Sequence, residues 1–170
     1  MKETRKLTLT AFFLALGFVL PFLTGQIPQI GATLLPMHIP VLLCGFFCGG
    51  VYGGMTGLLL PLIRSLWLGR PILIPTAVAM AAELAAYGVL TGLLYPKWKE
   101  KRFGIYATLL AAMLGGRLVW GIVSMILYRI LADYFTWEMF AAGAFLQAVP
   151  GICVQLVLIP AVVHRLKKQM

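Results

Sequence analysis

Long apolar runs separated by short polar or turn-forming stretches organise this chain from end to end. They extend from about Leu7 to Leu23, Pro36 to Cys48, Val51 to Trp67, Pro75 to Tyr95, Gly104 to Leu131 and Gly143 to Val163. A bilayer core takes about 20 apolar residues per helix, fewer where loops dip in. The pattern therefore predicts six membrane-spanning helices, the second one short and opened by Pro36 and Pro40. No internal repeat or low-complexity linker divides the chain, so residues 1–170 read as a single membrane domain. The expected fold is an all-α integral membrane protein, a six-helix bundle.

Composition fixes the solvent. Hydrophobic residues make up 61% of the chain and charged residues 11%, with a mean hydropathy of +0.95. A water-soluble domain of this length needs more surface charge than that. The net charge of +9 does not form the stripe expected of a nucleic-acid surface. It is gathered into Lys2, Arg5 and Lys6, then Lys97, Lys99, Lys101 and Arg102, then Arg165, Lys167 and Lys168. These clusters share one side only with an even number of spans, and the positive-inside rule makes that side cytoplasmic. Both termini are then inside, as in a multi-pass cell-membrane protein. The opposite side receives residues 24–35, "WLGRPILIP" and "ADYFTWEMFAA", and the first of these, with Gly25, Pro28 and Gly31, is expected to fold over a ligand. The basic N-terminus lacks a small-x-small cleavage site, so its apolar run reads as a retained helix and not a secretory signal.

Catalytic signatures are missing from the sequence. It holds no HExxH, no Walker loop and no plausibly ordered Ser-His-Asp set, and Asp133 and Glu138 fall in a loop. An enzyme is not expected. Cys44, Cys48 and Cys153 lie in apolar runs without a His spaced to complete a metal site, so they read as packing residues.

Between the second and third runs, "GFFCGGVYGGMTG" places Gly45, Gly49, Gly53 and Gly57 at intervals of four. Small residues at that spacing let helix backbones approach closely in lipid, which predicts a tight helical hairpin. A second small-xxx-small pair, Ala11 and Ala15, lies in "TAFFLALGF".

Taken in order, the basic N-terminus, this Ala-xxx-Ala pair, "LPMHIPVLLCGFFCGG" and the glycine-rich hairpin resemble the S component of an energy-coupling factor (ECF) transporter, over the whole chain. The resemblance implies a membrane subunit that binds a vitamin or related micronutrient near the outer face, with high affinity. It implies docking through Ala11 and Ala15 on a transmembrane coupling subunit, which works with two ATPases; ATP is used only by those partners, and no cofactor is expected. The ligand is expected among the last three helices and the loops after the first, third and fifth. The hairpin "CGGVYGG" departs from the family in lacking a proline at the turn. A self-contained secondary carrier or channel is the competing reading.

The polar residues inside the runs suggest a site independently. At about 1.5 Å of rise per residue, Glu83 lies roughly 12 Å below the outer end of its helix, Arg117 roughly 20 Å, Gln147 about 6 Å and Gln155 about 18 Å. These depths overlap. A charge facing hydrocarbon costs at least about 2.5–3.5 kcal/mol, so Glu83 and Arg117 are expected to meet each other or a wet cavity. Two readings follow, a closed ion pair that locks the bundle and a pocket that reads a polar micronutrient. In the second, Tyr87, Trp120, Ser124 and Tyr128 supply the wall and Gln147 a further polar group. His38, between two prolines at the membrane edge, and Arg64 form a polar rim, His38 reading also as a hydrogen-bonded structural residue. Pro61 and Pro150 each interrupt a span and free a carbonyl one turn earlier. Arg64, Arg70 and Arg117 against Glu83 leave the outer half positive, favouring a carboxylate or phosphate ligand such as pantothenate over thiamin, with riboflavin and pyridoxine open.

Overall fold

Apolar runs become helices throughout the residues that the computed structural model describes, 3–23, 34–131, 136 and 148–167. Hydrocarbon offers the backbone no hydrogen bonds, and a helix satisfies its N–H and C=O groups internally. Helix α1 is Glu3–Leu23, α2 His38–Cys48, α3 Gly50–Leu68, α4 Val78–Trp98, α5 Gly104–Ile130 and α6 Val149–Lys167. A single wide turn, Leu73–Ala77, leads into α4 and is closed by the Ala77 N–H donating to the Ile72 carbonyl at 2.8 Å. With that turn, α4 joins α1, α3, α5 and α6 as the five helices among the described residues long and apolar enough to cross a membrane.

Helix α2 differs from the span expected of it. Its 11 residues rise only about 16 Å, roughly half of the hydrocarbon thickness. It is an internal helix: all of its residues except Ile39 and Phe47 are buried. Protein surrounds it, which is the condition under which a short helix is tolerated at membrane depth. The preceding turn holds Leu35 in the left-handed region at φ 50°, and the Leu35 carbonyl accepts the His38 N–H at 3.1 Å. A non-glycine residue in that conformation costs about 1–2 kcal/mol.

Around α2 the packing is uneven. Helix α4 is central and contacts α2, α3 and α5; α1 lies against α2 and α3; α6 touches α2 and α5. Gly49, at φ 95°, makes the sharp break between α2 and α3 without the expected proline. Gly53 of α3 then meets Gly45 of α2, and both face the Gly88 carbonyl of α4. Pro150 does not interrupt a helix. Ala148 accepts the first helical hydrogen bond from Ile152 at 2.9 Å, so Pro150 falls in the first turn of α6, where a missing N–H is harmless.

The basic clusters converge on one end of the bundle. The Tyr52 hydroxyl donates to Glu3 Oε2 at 2.8 Å, tying the start of α1 to the start of α3. Phe46 near the end of α2 meets Tyr95 near the end of α4, ring centroids 4.8 Å apart. Lys99, Lys101, Arg102 and His164 line one crevice at that same end of α4.

Candidate functional site

Glycines fix where Glu83 points. Leu84, Gly88 and Gly92 form a row at intervals of four along α4, and α3 packs on that row: Gly57 lies on the Leu84 backbone, Gly88 on the Gly53 backbone and Gly92 on Gly50. A side chain at any of these glycines would collide with main chain. The adjacent row, Glu83, Tyr87 and Thr91, is thereby turned inward, and all three are buried. Opposite it, Gly116 of α5 leaves room for the Tyr87 ring. The next residue on α5 is Arg117.

Three helices meet at one carboxylate oxygen. Arg117 Nη1 stands 2.9 Å from Glu83 Oε1, and the Tyr87 hydroxyl donates to the same oxygen at 3.0 Å. His38 Nε2 is 3.7 Å from it, close enough for charge interaction and too far for a hydrogen bond. The His38 and Tyr87 rings lie 5.3 Å apart at 59°. Each of these four side chains is at least nine-tenths buried, from 1% exposed for His38 to 6% for Arg117. The two formal charges neutralise one another in a setting where an isolated one would be costly.

The cluster is incompletely satisfied. Among the described residues, Arg117 Nε and Nη2 and both His38 ring nitrogens are buried without a hydrogen-bond partner. Buried polar groups are normally paired, so such a concentration needs an explanation. Nε and Nη2 form one edge of the guanidinium, with their N–H bonds directed side by side. Glu83 occupies Nη1 and leaves that fork open. A planar carboxylate or two phosphate oxygens match such a fork.

The other expected site residues divide. Ser124 is buried on α5 two turns beyond Arg117, while Trp120 and Tyr128 on the same helix are half-buried. Gln147 and the stretch 24–33 lie outside the described residues. His38 is inside the cluster, not on a polar rim. Arg64 is also buried but is tied to α1: its Nη1 donates to the Phe18 carbonyl at 2.5 Å, and its guanidinium lies 5.5 Å from the Phe18 ring centroid and 5.4 Å from that of Phe22. Ala11 and Ala15 are exposed on α1, whereas Phe13 and Gly17 face the bundle. Gln155, which the sequence reading left out of the site, is buried on α6, and its Nε2 has no hydrogen-bond partner among the described residues. It shares the buried face of α6 with Ile159 and Val163. Gly88, Gly92 and Gly116 were also passed over; their spacing, and the position of Gly116 beside Arg117, were the available signals.

Comparison with known proteins gives the same direction as this geometry. No curated protein and no solved structure matches the chain. The family model described as "ECF transporter, substrate-specific component" matches residues 5–163, nearly the full length. This multi-pass membrane protein therefore belongs to the substrate-specific components of ECF transporters.

Proposed function

We propose that the protein captures a small acid-bearing micronutrient, pantothenate or a compound of similar chemistry, at the Glu83–Arg117–His38 cluster. Family membership makes it a transport subunit and not an enzyme, and implies a membrane coupling subunit and ATPases as its partners. The observation that carries the reading is the open, buried Nε/Nη2 edge of Arg117. A ligand carboxylate would close that fork, while Glu83 keeps the guanidinium aimed. His38 and Gln155 would then hydrogen-bond the ligand's remaining polar atoms, with Tyr87, Trp120 and Ser124 as the surrounding wall. Gln147 and Arg64 belong to the same proposal as outer residues of the site.

The basic end of the bundle faces the cytoplasm in this reading, by the positive-inside rule, so both termini are inside. The exposed Ala11–Ala15 face of α1 is the docking surface for the coupling subunit. Two small residues one turn apart let a partner helix approach closely. ATP is hydrolysed by the partner subunits alone.

The test is native mass spectrometry of the purified chain, followed by identification of any released small molecule and titration of it back. One carboxylate or phosphate compound per chain, with no flux through liposomes that contain this chain alone, supports the reading. Sustained flux without partners would instead indicate a self-contained carrier.

A further inference from the structure

At the basic end of the bundle, away from Glu83, a crevice of about 800 Å³ opens between α5 and α6. Its mouth carries Lys99, Lys101, Arg102 and His164, and no carboxylate lines it. Its floor is apolar, with Ile105 from α5 and Leu156, Val157, Pro160 and Ala161 from α6. The mouth is held in place by a tight connection: the Lys101 N–H donates to the Trp98 carbonyl at 3.0 Å, and the Gly104 N–H to the Lys101 carbonyl at 2.9 Å. Gly104 is required there, because a side chain would strike the Trp98 carbonyl. Aromatic rings flank the cations, with Lys101 Nζ 6.0 Å from the Trp98 centroid and the Arg102 guanidinium 5.7 Å from that of Phe103.

We propose that this crevice binds one anionic phospholipid, its phosphate among Lys99, Lys101 and Arg102 and an acyl chain along the α5–α6 floor. Water is a poor occupant of an apolar cleft at membrane depth, and lipid is the available filler. The cations and the apolar floor are continuous, as the two parts of a phospholipid are. Basic pockets between transmembrane helices on the cytoplasmic side recognise anionic headgroups in this way. Tyr95 and Tyr106, which also line the crevice, are amphipathic residues suited to the interface level. Glu100, the carboxylate of the same connection, is exposed and lies outside the lining. The lipid would brace α6 against α5 at the end where the chain's own atoms leave a gap.

The experiment uses the full chain in detergent micelles doped with phosphatidylglycerol or with phosphatidylcholine, read by native mass spectrometry. Wild type should retain one phosphatidylglycerol and little phosphatidylcholine. Each basic residue near an anionic headgroup contributes about fivefold in affinity, so Lys99→Gln, Lys101→Gln and Arg102→Gln together should weaken retention roughly a hundredfold. Ala161→Trp, which fills the floor and keeps every charge, should also displace the lipid; Ala161→Leu serves if the larger side chain lowers the melting temperature. Lys97→Gln, outside the lining, should change nothing. Equal retention of both lipids, or wild-type retention by the triple variant, overturns the proposal. Inorganic phosphate that competes fully, with Ala161 variants unaffected, overturns it in favour of a free anion site. A triple variant that keeps its lipid but no longer assembles with the coupling subunit overturns it in favour of a protein interface.

Discussion

Arg117 meets Glu83 through a single nitrogen, Nη1 to Oε1 at 2.9 Å, while its other edge is buried and has no hydrogen-bond partner among the described residues. This half-used guanidinium bears on the two readings of the pair. A closed architectural lock would be expected to use both edges, or to leave the second one in water.

Removing either partner alone should therefore destabilise the protein by about 3–5 kcal/mol, since it strands a buried charge. Glu83→Gln with Arg117→Gln should recover much of that loss, yet bind ligand about 10- to 150-fold more weakly, matching one lost charge-assisted hydrogen bond of about 1.5–3 kcal/mol. Thermal melts without ligand and dissociation constants for all four proteins give the answer. A stable double variant of wild-type affinity would make the pair purely architectural and move the site toward Arg64.

His38→Phe should keep the ring against Tyr87 and remove both nitrogens. Because neither nitrogen has a hydrogen-bond partner among the described residues, the melting temperature without ligand should hold or rise, as expected when an unsatisfied buried polar group is replaced by an apolar one. Ligand affinity should fall in the same variant. A melting temperature that drops by several degrees with affinity intact would assign His38 to structure.

Gly116→Ala places a methyl group on the Tyr87 ring. The ring must move, which breaks its hydrogen bond to Glu83 and costs about 1–3 kcal/mol of overpacking. Pairing the substitution with Tyr87→Leu should relieve part of that penalty, measured as a double-mutant cycle in thermal stability. Strict additivity would show that the ring does not depend on the glycine.

Gly57→Val and Gly88→Val should be more damaging, because their side chains would meet backbone, which cannot rotate away as the end of a side chain can. Both should lower the yield of folded protein and, in whatever folds, disturb ligand binding through the displaced Glu83 row. Gly69→Ala provides the contrast: the space around it is open, and only its φ of 67° opposes a side chain. Its cost should stay at about 1–2 kcal/mol, with ligand affinity unchanged.

Ala11→Trp with Ala15→Trp should abolish uptake by whole cells while ligand binding in detergent persists, since both positions are exposed on α1 and away from the cluster. Co-purification with the coupling subunit should be lost in parallel. Uptake at wild-type rate would remove the docking assignment.

What the sequence determined by itself was the solvent and the helices, because hydropathy and run length are one-dimensional quantities. The order of motifs also reached the family. The direction in which each helix faces was a different matter. A helix such as α4 is apolar on nearly every side, so periodicity, which identifies the inward face of a helix in water, has little contrast in lipid. Contact between glycine backbones selected the face instead: Gly57 on Leu84 and Gly88 on Gly53 turned Glu83 inward. The Glu83–Arg117 pairing was legible from the sequence, but Arg64, expected on a polar rim with His38, is instead held by the Phe18 carbonyl of α1, a contact that depends on the packing of α3 against α1. The short α2 was legible as a hydrophobic run, but its burial inside the bundle, with His38 in the cluster, depends on neighbours far along the chain that pack around it.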